Sequence, residues 1–286
     1  MDWLSGMQKA INYIEDNITE DFDCEEIARQ AFSSSYHFQR VFSILCGYSL
    51  GEYIRNRRLS LAGTELMTTN EKIIDIAIKY GYDSPDGFTK AFTRFHSVAP
   101  SSARKEKTAL KSFSRLSIKL SLEGGSIMDY KVKKELAFDL VGYKRKFNGG
   151  FDERFDQESD FWVNTRAEQE VLTKLRNTQE NIWYDVNCNF SDNGYDHYIC
   201  VATNNNAPDG FEKIHIPEQL YVIVQTERAK YPTVLLPELR KRIVSEWLPS
   251  SGYILTEGYE IAVAHWYPIG TENKYIEVWI PIKKSD

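Results

Sequence analysis

The fold of the N-terminal region is decided by a pattern that occurs twice, IARQAFSSSYHFQRVF at residues 27–42 and IAIKYGYDSPDGFTKAF at residues 76–92. In each copy an Ile-Ala pair lies on a short helix, and a turn rich in Ser, Gly or Pro follows it. Phenylalanines at helical spacing then mark a second helix. A capping box of Ser49 and Glu52 begins a long helix between the copies. The repeat therefore predicts two helix-turn-helix units joined by one linking helix.

The second helix of each copy has an apolar face and a polar face. At roughly 100° per residue, positions three and four residues apart share one side of a helix. The apolar sides carry Phe38, Phe42 and Leu45 in the first copy and Phe88, Phe92 and Phe95 in the second. The opposite sides carry Tyr36, Arg40 and Ser43, and Asp86, Lys90 and Thr93. We expect the apolar sides in the core and the polar sides at the surface.

Two polar faces held by one linking helix can enter successive major grooves of a duplex, about 34 Å apart. The repeat therefore predicts that one chain binds double-stranded DNA. Base contacts are expected from Tyr36, Gln39, Arg40, Asp86, Thr89 and Lys90, and phosphate contacts from Arg55, Arg58, Arg94 and Arg104. The pattern alone also fits ordinary helices with solvated charged faces, or a bundle that binds proteins.

The charge distribution is compatible with DNA binding, although the chain has a net charge of -6. One Lys and eight acidic residues precede Arg29, whereas residues 29–107 hold twelve basic and seven acidic residues, a balance of +5. Because neutralising phosphates requires clustered cations, the region assigned to DNA is the one that carries them.

Composition and cysteine spacing limit the remaining classes. The four cysteines, Cys24, Cys46, Cys188 and Cys200, have neither CxxC nor zinc-like spacing, so no disulfide, metal or other cofactor is predicted. No apolar run reaches the roughly 18 residues that span a bilayer. Since the N-terminus also lacks the features of a secretion signal, we expect a cytoplasmic protein without a membrane partner.

The N-terminal sequence resembles the AraC/XylS DNA-binding domain over residues 5–107. Its first half is represented by Ile27-Ala28, SYHFQRVF at 35–42, GYSLGEYIR at 47–55 and Arg58-Leu59; its second half by IIDIA at 73–77, GYDS at 81–84, FTKAF at 88–92, and Pro100 with Arg104. The chain departs from the family at Ser97, usually Gly, and at Ala103, commonly aromatic. The resemblance implies a domain that binds promoter DNA and contacts RNA polymerase.

The remainder of the chain predicts a linker and a second domain. After an all-α domain at residues 1–108, the Ser-, Lys- and Gly-rich residues 109–126 are interpreted as a tether. Residues 127–286 are predicted to be α+β with a mainly antiparallel sheet. Extended segments are expected at 130–147, 195–203, 214–226, 259–266 and 275–282, and helices at 161–176 and 232–247. Because strand, helix and strand follow one another twice, a duplicated unit enclosing a groove is expected.

The last predicted strand places an acid among aromatic rings. Period-two alternation sets Ile276, Val278 and Ile280 on one face, and Tyr275, Glu277 and Trp279 on the other. A carboxylate beside aromatic rings suits a lipophilic cation, although a solvent-facing strand edge has the same spacing. His265, Trp266 and Tyr267 are further candidate effector contacts.

The C-terminal sequence resembles the GyrI-like effector-binding domain. The resemblance is carried by EWLPSSGY at 246–253 and IEVWIPI at 276–282, with Phe161-Trp162 and YICVA at 198–202 in the first half. It implies a small effector, cationic or hydrophobic, as in multidrug sensing, with Glu277 as the acid. His265 is a departure, because many members carry a carboxylate there.

Together these patterns predict a sequence-specific transcription regulator with a small-molecule effector, and not an enzyme. No set of nucleophile, base and orienting group, no phosphate loop and no metal motif is evident in the sequence. The alternative is that the C-terminal domain is a small-molecule hydrolase or a protein-binding module fused to a DNA-binding domain.

Overall fold

The computed structural model describes residues 3–106, 109–118, 128–147, 151–177, 180–191, 194–266 and 271–285. By their contacts the residues form two compact units, one of residues 1–39 and 50–122 and the other of residues 40–49 and 123–286. The first unit is helical, and the second is built on one antiparallel sheet. Within the described residues, no helix combines the length and apolarity needed to cross a membrane.

Seven helices are present in the described residues before the sheet. They are α1 (Trp3–Asp16), α2 (Cys24–Gln30), α3 (Ser35–Cys46), α4 (Leu50–Thr68), α5 (Ile73–Lys79), α6 (Pro85–His96) and α7 (Pro100–Glu106). The pairs α2–α3 and α5–α6 are the two predicted helix-turn-helix units, and α4 is the linking helix. The predicted all-α fold with two such units is confirmed.

Local sequence sets the turns of these units. Ser84 caps α6, because its side chain accepts a hydrogen bond from the Gly87 backbone N at 3.2 Å, and Pro85 occupies the first helical position. Gly47 and Gly81 follow the ends of α3 and α5 with φ of 82° and 78°. Glycine adopts this left-handed conformation without the steric cost that a Cβ imposes.

The second helix-turn-helix unit packs around a continuous apolar core. Phe88 and Phe92 are completely buried, with ring centroids 5.4 Å apart, as their spacing predicts, whereas Phe95 is only partly buried. The other buried members of this core are Leu59, Ala62, Leu66, Ile76, Ala77, Tyr80, Ala91 and Ala103. Since α4, α5, α6 and α7 all contribute, the apolar side of α6 is fixed and its polar side faces away from the core.

Residues 109–118, predicted as part of a tether, lie along α1 and α4. The Phe113 backbone N donates to Ser60 Oγ at 3.0 Å, and the Phe113 carbonyl O accepts from Arg57 at 2.5 Å. Farther along, the Leu116 N donates to Tyr53 Oη at 3.1 Å. This part of the predicted linker is therefore docked on the helical unit. Residues 119–127 lie outside the described part, so the predicted boundaries at 108 and 127 stay a prediction.

Nine strands form the sheet in the described residues. They are β1 (Tyr130–Glu135), β2 (Phe138–Phe147), β3 (Ile182–Ser191), β4 (Gly194–Ala202), β5 (Glu212–Ile216), β6 (Gln219–Gln225), β7 (Tyr253–Leu255), β8 (Glu260–His265) and β9 (Tyr275–Lys284). The helices of this unit are α8 (Phe151–Asn164), α9 (Arg166–Leu175), α10 (Leu236–Arg242) and α11 (Leu248–Ser251).

The strand order is β1-β6-β9-β8-β3-β4-β2-β5, and β7 pairs with β9. The sheet therefore consists of two similar halves. The first half consists of β2, then helices α8 and α9, then β3 and β4, with β5 at its edge. The second half consists of β6, then helices α10 and α11, then β8 and β9, with β1 at its edge. The halves join where β3 pairs with β8, from Ile182↔His265 to Asn187↔Glu260. The predicted duplicated antiparallel sheet is confirmed.

The two faces of the sheet have different roles. Helices cover one face, with Phe161 of α8 against Tyr143 of β2 at 5.3 Å between ring centroids. The other face, here called the groove face, carries apolar and aromatic side chains from both halves. Its buried members are Leu140, Val186, Cys188, Tyr198, Cys200, Ile214, Ile216, Tyr221, Ile223, Ile261 and Val263. The predicted groove between duplicated halves lies on this face.

Candidate functional site

The polar side of α6 is an exposed surface. Asp86, Thr89, Lys90 and Arg94 are all exposed, whereas Phe88 on the opposite side is completely buried. Because the buried side fixes the rotation of the helix, these four polar side chains project from one rigid element. They comprise the three base contacts predicted for the second unit and one of the predicted phosphate contacts, and those roles stay predictions.

The corresponding residues of α3 are less exposed. Tyr36 and Gln39 are half-buried, and Gln39 Nε2 donates to Ser35 Oγ at 2.9 Å. Arg40 is expected at the surface from the sequence, but it belongs to the unit that contains the sheet and is only 8% exposed, because its guanidinium forms an ion pair with Glu260. A guanidinium in this pair has to leave the carboxylate before it reaches a base edge. The base contact of Arg40 stays a prediction, and this release is a condition for it.

The four arginines predicted to contact phosphates fall into two groups. Arg55 is half exposed and 3.9 Å from Glu52, and Arg94 is exposed. Arg58 donates to the carbonyl oxygens of Ile18 and Glu20 at 2.8 and 2.5 Å, and Arg104 donates to the Leu66 carbonyl at 3.3 Å. The guanidinium groups of Arg55 and Arg94 are therefore accessible to solvent, with Arg55 loosely paired to Glu52. Arg58 and Arg104 instead donate hydrogen bonds to backbone carbonyls of their own unit.

An open cleft of about 840 Å³ lies at one end of the groove face. Aromatic side chains from three strands line it: Phe138 of β2, Tyr184 of β3 and Trp279 of β9. The Phe138 ring centroid lies 6.3 Å from those of both Tyr184 and Trp279. Both halves of the sheet therefore contribute rings to one concave surface. Such a cleft can take an apolar or aromatic ligand.

Glu277 lies immediately beside this cleft. Trp279 Nε1 donates to Glu277 Oε2 at 2.9 Å, and the Glu277 side chain is 25% exposed. Burial raises the pKa of Tyr184, and the nearby carboxylates of Glu277 and Glu135 raise it further. Two carboxylates are therefore close enough to act on Tyr184, in a cleft whose lining also includes Lys133, Lys134 and Lys213. The predicted alternation in β9 is present, because Ile276, Val278 and Ile280 are buried on the opposite face.

The other predicted effector residues within the described part of the chain do not line the cleft. His265 Nε2 is 4.0 Å from Glu277 Oε1, and the His265 ring stacks on Tyr275 with centroids 4.2 Å apart. Burial lowers the pKa of His265 in spite of the opposing effect of Glu277, which favours the neutral ring. Trp266 contacts Lys274, whose ammonium is 5.9 Å from the ring centroid. Tyr267 lies outside the described residues.

The sequence interpretation missed Glu135, Phe138 and Tyr184, all of which line the cleft. Glu135 and Phe138 are close together in the chain, but Tyr184 and Trp279 are distant from them, and sequence spacing does not show that these residues line one cleft. Alternation in β1 and β3 is the signal that could have placed Glu135 and Tyr184 on the groove face.

Known proteins resemble the two parts of the chain separately. The model of a helix-turn-helix domain matches residues 27–106, and that of the integron-associated effector binding protein matches residues 133–282. The HTH-type transcriptional activator AarP of Providencia stuartii is 40% identical over 104 residues, which cover 36% of this chain and 77% of AarP. The regulatory protein SoxS of Salmonella typhimurium is 38% identical over 98 residues, covering 34% and 92%.

A solved structure resembles the second part. The integron cassette protein VCH_CASS2 of Vibrio cholerae aligns with a TM-score of 0.37 and 12% identity, covering 54% of this chain and 95% of that protein.

Two helix-turn-helix units, one with an open polar recognition surface, precede a duplicated sheet with an aromatic cleft and an acid beside it. This combination defines a DNA-binding transcription regulator with its own effector-binding domain. The chain belongs to the AraC family of regulators in its N-terminal part, and in its C-terminal part to the integron-associated effector-binding proteins, whose fold is GyrI-like.

Proposed function

We propose that this regulator senses a lipophilic cation in the cleft of its sheet domain. The observation that supports this most directly is the hydrogen bond between Glu277 and Trp279, which places a carboxylate against a ring that lines the cleft. Phe138 and Tyr184 add two further rings. Aromatic faces attract cations through their quadrupole, and a nearby carboxylate supplies the compensating charge.

Sensing requires that the effector bind the DNA-competent and DNA-incompetent states with different affinities, since a ligand with equal affinity for both shifts neither. We propose that effector binding changes how the regulator engages promoter DNA or RNA polymerase. The polymerase contact is proposed from the resemblance to AraC-type domains.

For DNA, we propose that the polar side of α6 enters a major groove and that Asp86, Thr89 and Lys90 meet base edges there. Their shared exposure on a helix whose other side is buried supports this orientation. The base contacts of α3 would come from Tyr36, Gln39 and Arg40. The solvent-accessible side chains of Arg55 and Arg94 would bind phosphates.

The effector proposal is tested by isothermal titration of the full chain with decyltrimethylammonium, a lipophilic monocation. Glu277→Gln keeps the shape of the side chain and removes its charge, so we expect affinity to fall about tenfold, as for loss of one partly desolvated charge. Glu227→Gln, at an exposed acid just beyond β6, is the matched control and should bind like the wild type. Equal binding by all three proteins would contradict the proposal.

The DNA proposal is tested by operator binding, with the operator first selected from random duplexes. Lys90→Ala should weaken binding by about 1 to 3 kcal/mol and relax sequence preference at one position. Lys72→Ala, at an exposed lysine outside α6, should leave sequence preference unchanged. An unchanged preference in Lys90→Ala would remove Lys90 from the set of base contacts.

We also propose that the sheet domain binds its ligand without converting it, in keeping with the regulators that the N-terminal part resembles. In the described residues, burial raises the pKa of the Cys188 thiol to about 11 and that of Cys200 well above its usual value, so neither is an activated nucleophile. Ligand turnover that is lost in Glu277→Gln would favour the hydrolase alternative instead.

A further inference from the structure

A second acid, Glu135, lies in the same cleft. Glu135 ends β1, lines the cleft, and has a side chain that is 18% exposed. Its neighbour two positions earlier, Lys133, lies opposite Tyr221 of the groove face in the β1–β6 register. Because side chains two residues apart on a strand share a face, Glu135 projects from the same face as the aromatic lining.

Glu135 forms an ion pair with Lys133. The Lys133 Nζ to Glu135 Oε1 distance is 2.6 Å, and the Lys133 side chain is 60% exposed. An exposed lysine is held in such a pair by little free energy, because solvent screens the charge and the side chain loses entropy. The lysine can therefore be exchanged for another cation, whereas the half-buried carboxylate stays in place.

Glu135 lines the cleft, and Glu277 lies beside it, next to Trp279. In the register with β6, Glu135 lies opposite Gln219 and Glu277 opposite Gln225. Six residues of extended strand span on the order of 20 Å. Tyr184 lies within the electrostatic reach of both carboxylates. One elongated ligand that extends from the cleft past Trp279 would therefore meet Glu135 near one end, Glu277 near the other and aromatic rings between them.

The lysines of the cleft do not make it an anion site. Lys213 is 2.9 Å from Asp139, and Lys134 is 2.5 Å from Glu218, so each is paired with a carboxylate. The aromatic lining also favours cations over anions, since the faces of the rings are electron-rich.

We propose that Glu135 is a second cation-binding group of the effector site, that the preferred effectors carry two separated positive charges, and that Lys133 occupies Glu135 until such an effector displaces it. This inference rests on the proposed function, because it assigns a further residue to the same cation site.

The test uses two probes with the same alkyl chain in titrations of the full-length protein. Decamethonium carries a quaternary ammonium at each end, and decyltrimethylammonium carries one. The wild type should bind decamethonium about tenfold more tightly, the ratio expected for one additional charge pair of about 1.4 kcal/mol. Glu135→Gln should abolish this preference and leave monocation affinity within about twofold. Glu277→Gln should weaken both probes.

Lys133→Met gives a prediction of opposite sign. It removes the competing cation and keeps an apolar side chain of similar length, so decamethonium affinity should rise several-fold. The control is Lys134→Met, whose side chain pairs with Glu218 instead and should change the decamethonium affinity less.

The outcomes separate the two proposals. If both probes bind and depend on Glu277 but decamethonium affinity is unchanged in Glu135→Gln and in Lys133→Met, the inference about Glu135 is overturned and the proposed function stands. If neither probe binds the wild type, both are overturned. Unchanged thermal melting of Glu135→Gln would assign its loss of preference to binding and not to unfolding.

Discussion

Glu15→Gln should destabilise the helical unit and release residues 109–118 from it. Glu15 of α1 accepts from Arg57 Nε and a second guanidinium nitrogen at 2.8 and 2.7 Å and from Tyr53 Oη at 2.5 Å, and only 6% of its side chain is exposed. A Gln amide keeps one acceptor oxygen, but its NH2 group then faces an Arg57 donor. Charge-assisted hydrogen bonds contribute about 1.5 to 3 kcal/mol each, and breaking a buried pair costs more than an exposed one, so a loss of about 2 to 4 kcal/mol is expected.

The assay is hydrogen exchange by mass spectrometry on the full chain. Tyr53 accepts the Leu116 amide and Arg57 binds the Phe113 carbonyl, so the 109–118 peptide reports on the network directly. At 2 kcal/mol its exchange should quicken at least about 30-fold. Glu20→Gln, at an exposed acid after α1, is the control. Equal exchange in Glu15→Gln and the control would refute the assigned role of the network.

The same pair gives a pH dependence with a definite sign. Burial raises the pKa of Glu15, but the hydrogen bonds from Arg57 and Tyr53 outweigh burial and leave it below its usual 4.5. A carboxyl whose pKa is depressed on folding stabilises the folded state above its unfolded-state pKa, and that stabilisation is lost as pH falls through the folded-state pKa. The stability difference between the wild type and Glu15→Gln should therefore be constant from pH 6 to 8 and shrink below about pH 4.5.

Four further substitutions follow from the helical unit; each is measured by thermal unfolding of the full chain, and Arg94→Ala also by operator binding at several salt concentrations. Ser97 ends α6 with a left-handed φ of 65°, so Ser97→Gly should stabilise by about 0.5 to 1 kcal/mol, and an unchanged or lower melting temperature would contradict the assigned strain. A Cβ on Gly63 would lie 2.9 Å from the buried His96 ring, so Gly63→Ala should destabilise by about 1 to 3 kcal/mol, whereas an unaltered melting temperature would show that His96 can move away. Arg58→Met removes two hydrogen bonds to carbonyl oxygens, so it should lower the free energy of unfolding by about 1 to 3 kcal/mol. Arg94→Ala should keep the melting temperature and lose only DNA affinity and part of its salt dependence. The reverse result would show that Arg94 is the structural arginine and Arg58 the one that binds DNA.

Local signals were sufficient for the helix-turn-helix units. The cap at Ser84, the glycine turn at Gly81 and the Phe88–Phe92 spacing each act within a few residues, and the structure follows them. The same reasoning missed β3, because Asp185 and Asn187 on its helix-covered face are residue types more common in turns than in strands, although the strand does alternate. Asp185 accepts from Trp162 of α8, and Asn187 contacts His197 at 2.7 Å, so these polar groups are satisfied by partners distant in sequence.

Two other differences between the sequence interpretation and the structure have the same origin. Helical periodicity predicts one continuous helix at residues 161–176, but α8 ends at Asn164 and α9 begins at Arg166. Thr165 between them is held by Tyr143 Oη at 2.7 Å, a contact with β2 that no helical periodicity encodes. The composition of residues 109–118 predicts a tether, whereas Ser60 of α4 and Gln8 of α1 accept hydrogen bonds from the Phe113 and Ile118 backbone N atoms. Tertiary hydrogen bonds decide both segments.

The proposed effector site is asymmetric, although the sheet that carries it is duplicated. Each half supplies the same order of strands, yet Glu135 and Glu277 both belong to the half of β1, β6, β8 and β9, whereas Phe138 and Tyr184 come from the other half. Two identical halves would place like charges symmetrically about the β3–β8 junction, and these charges would repel each other. A symmetric site would also not favour one orientation of a ligand over the other. With the acids in one half and two rings in the other, a cation bound as proposed would contact both halves through different interactions, so its binding free energy would depend on their mutual position. The proposed effector could therefore favour one mutual position of the halves over another.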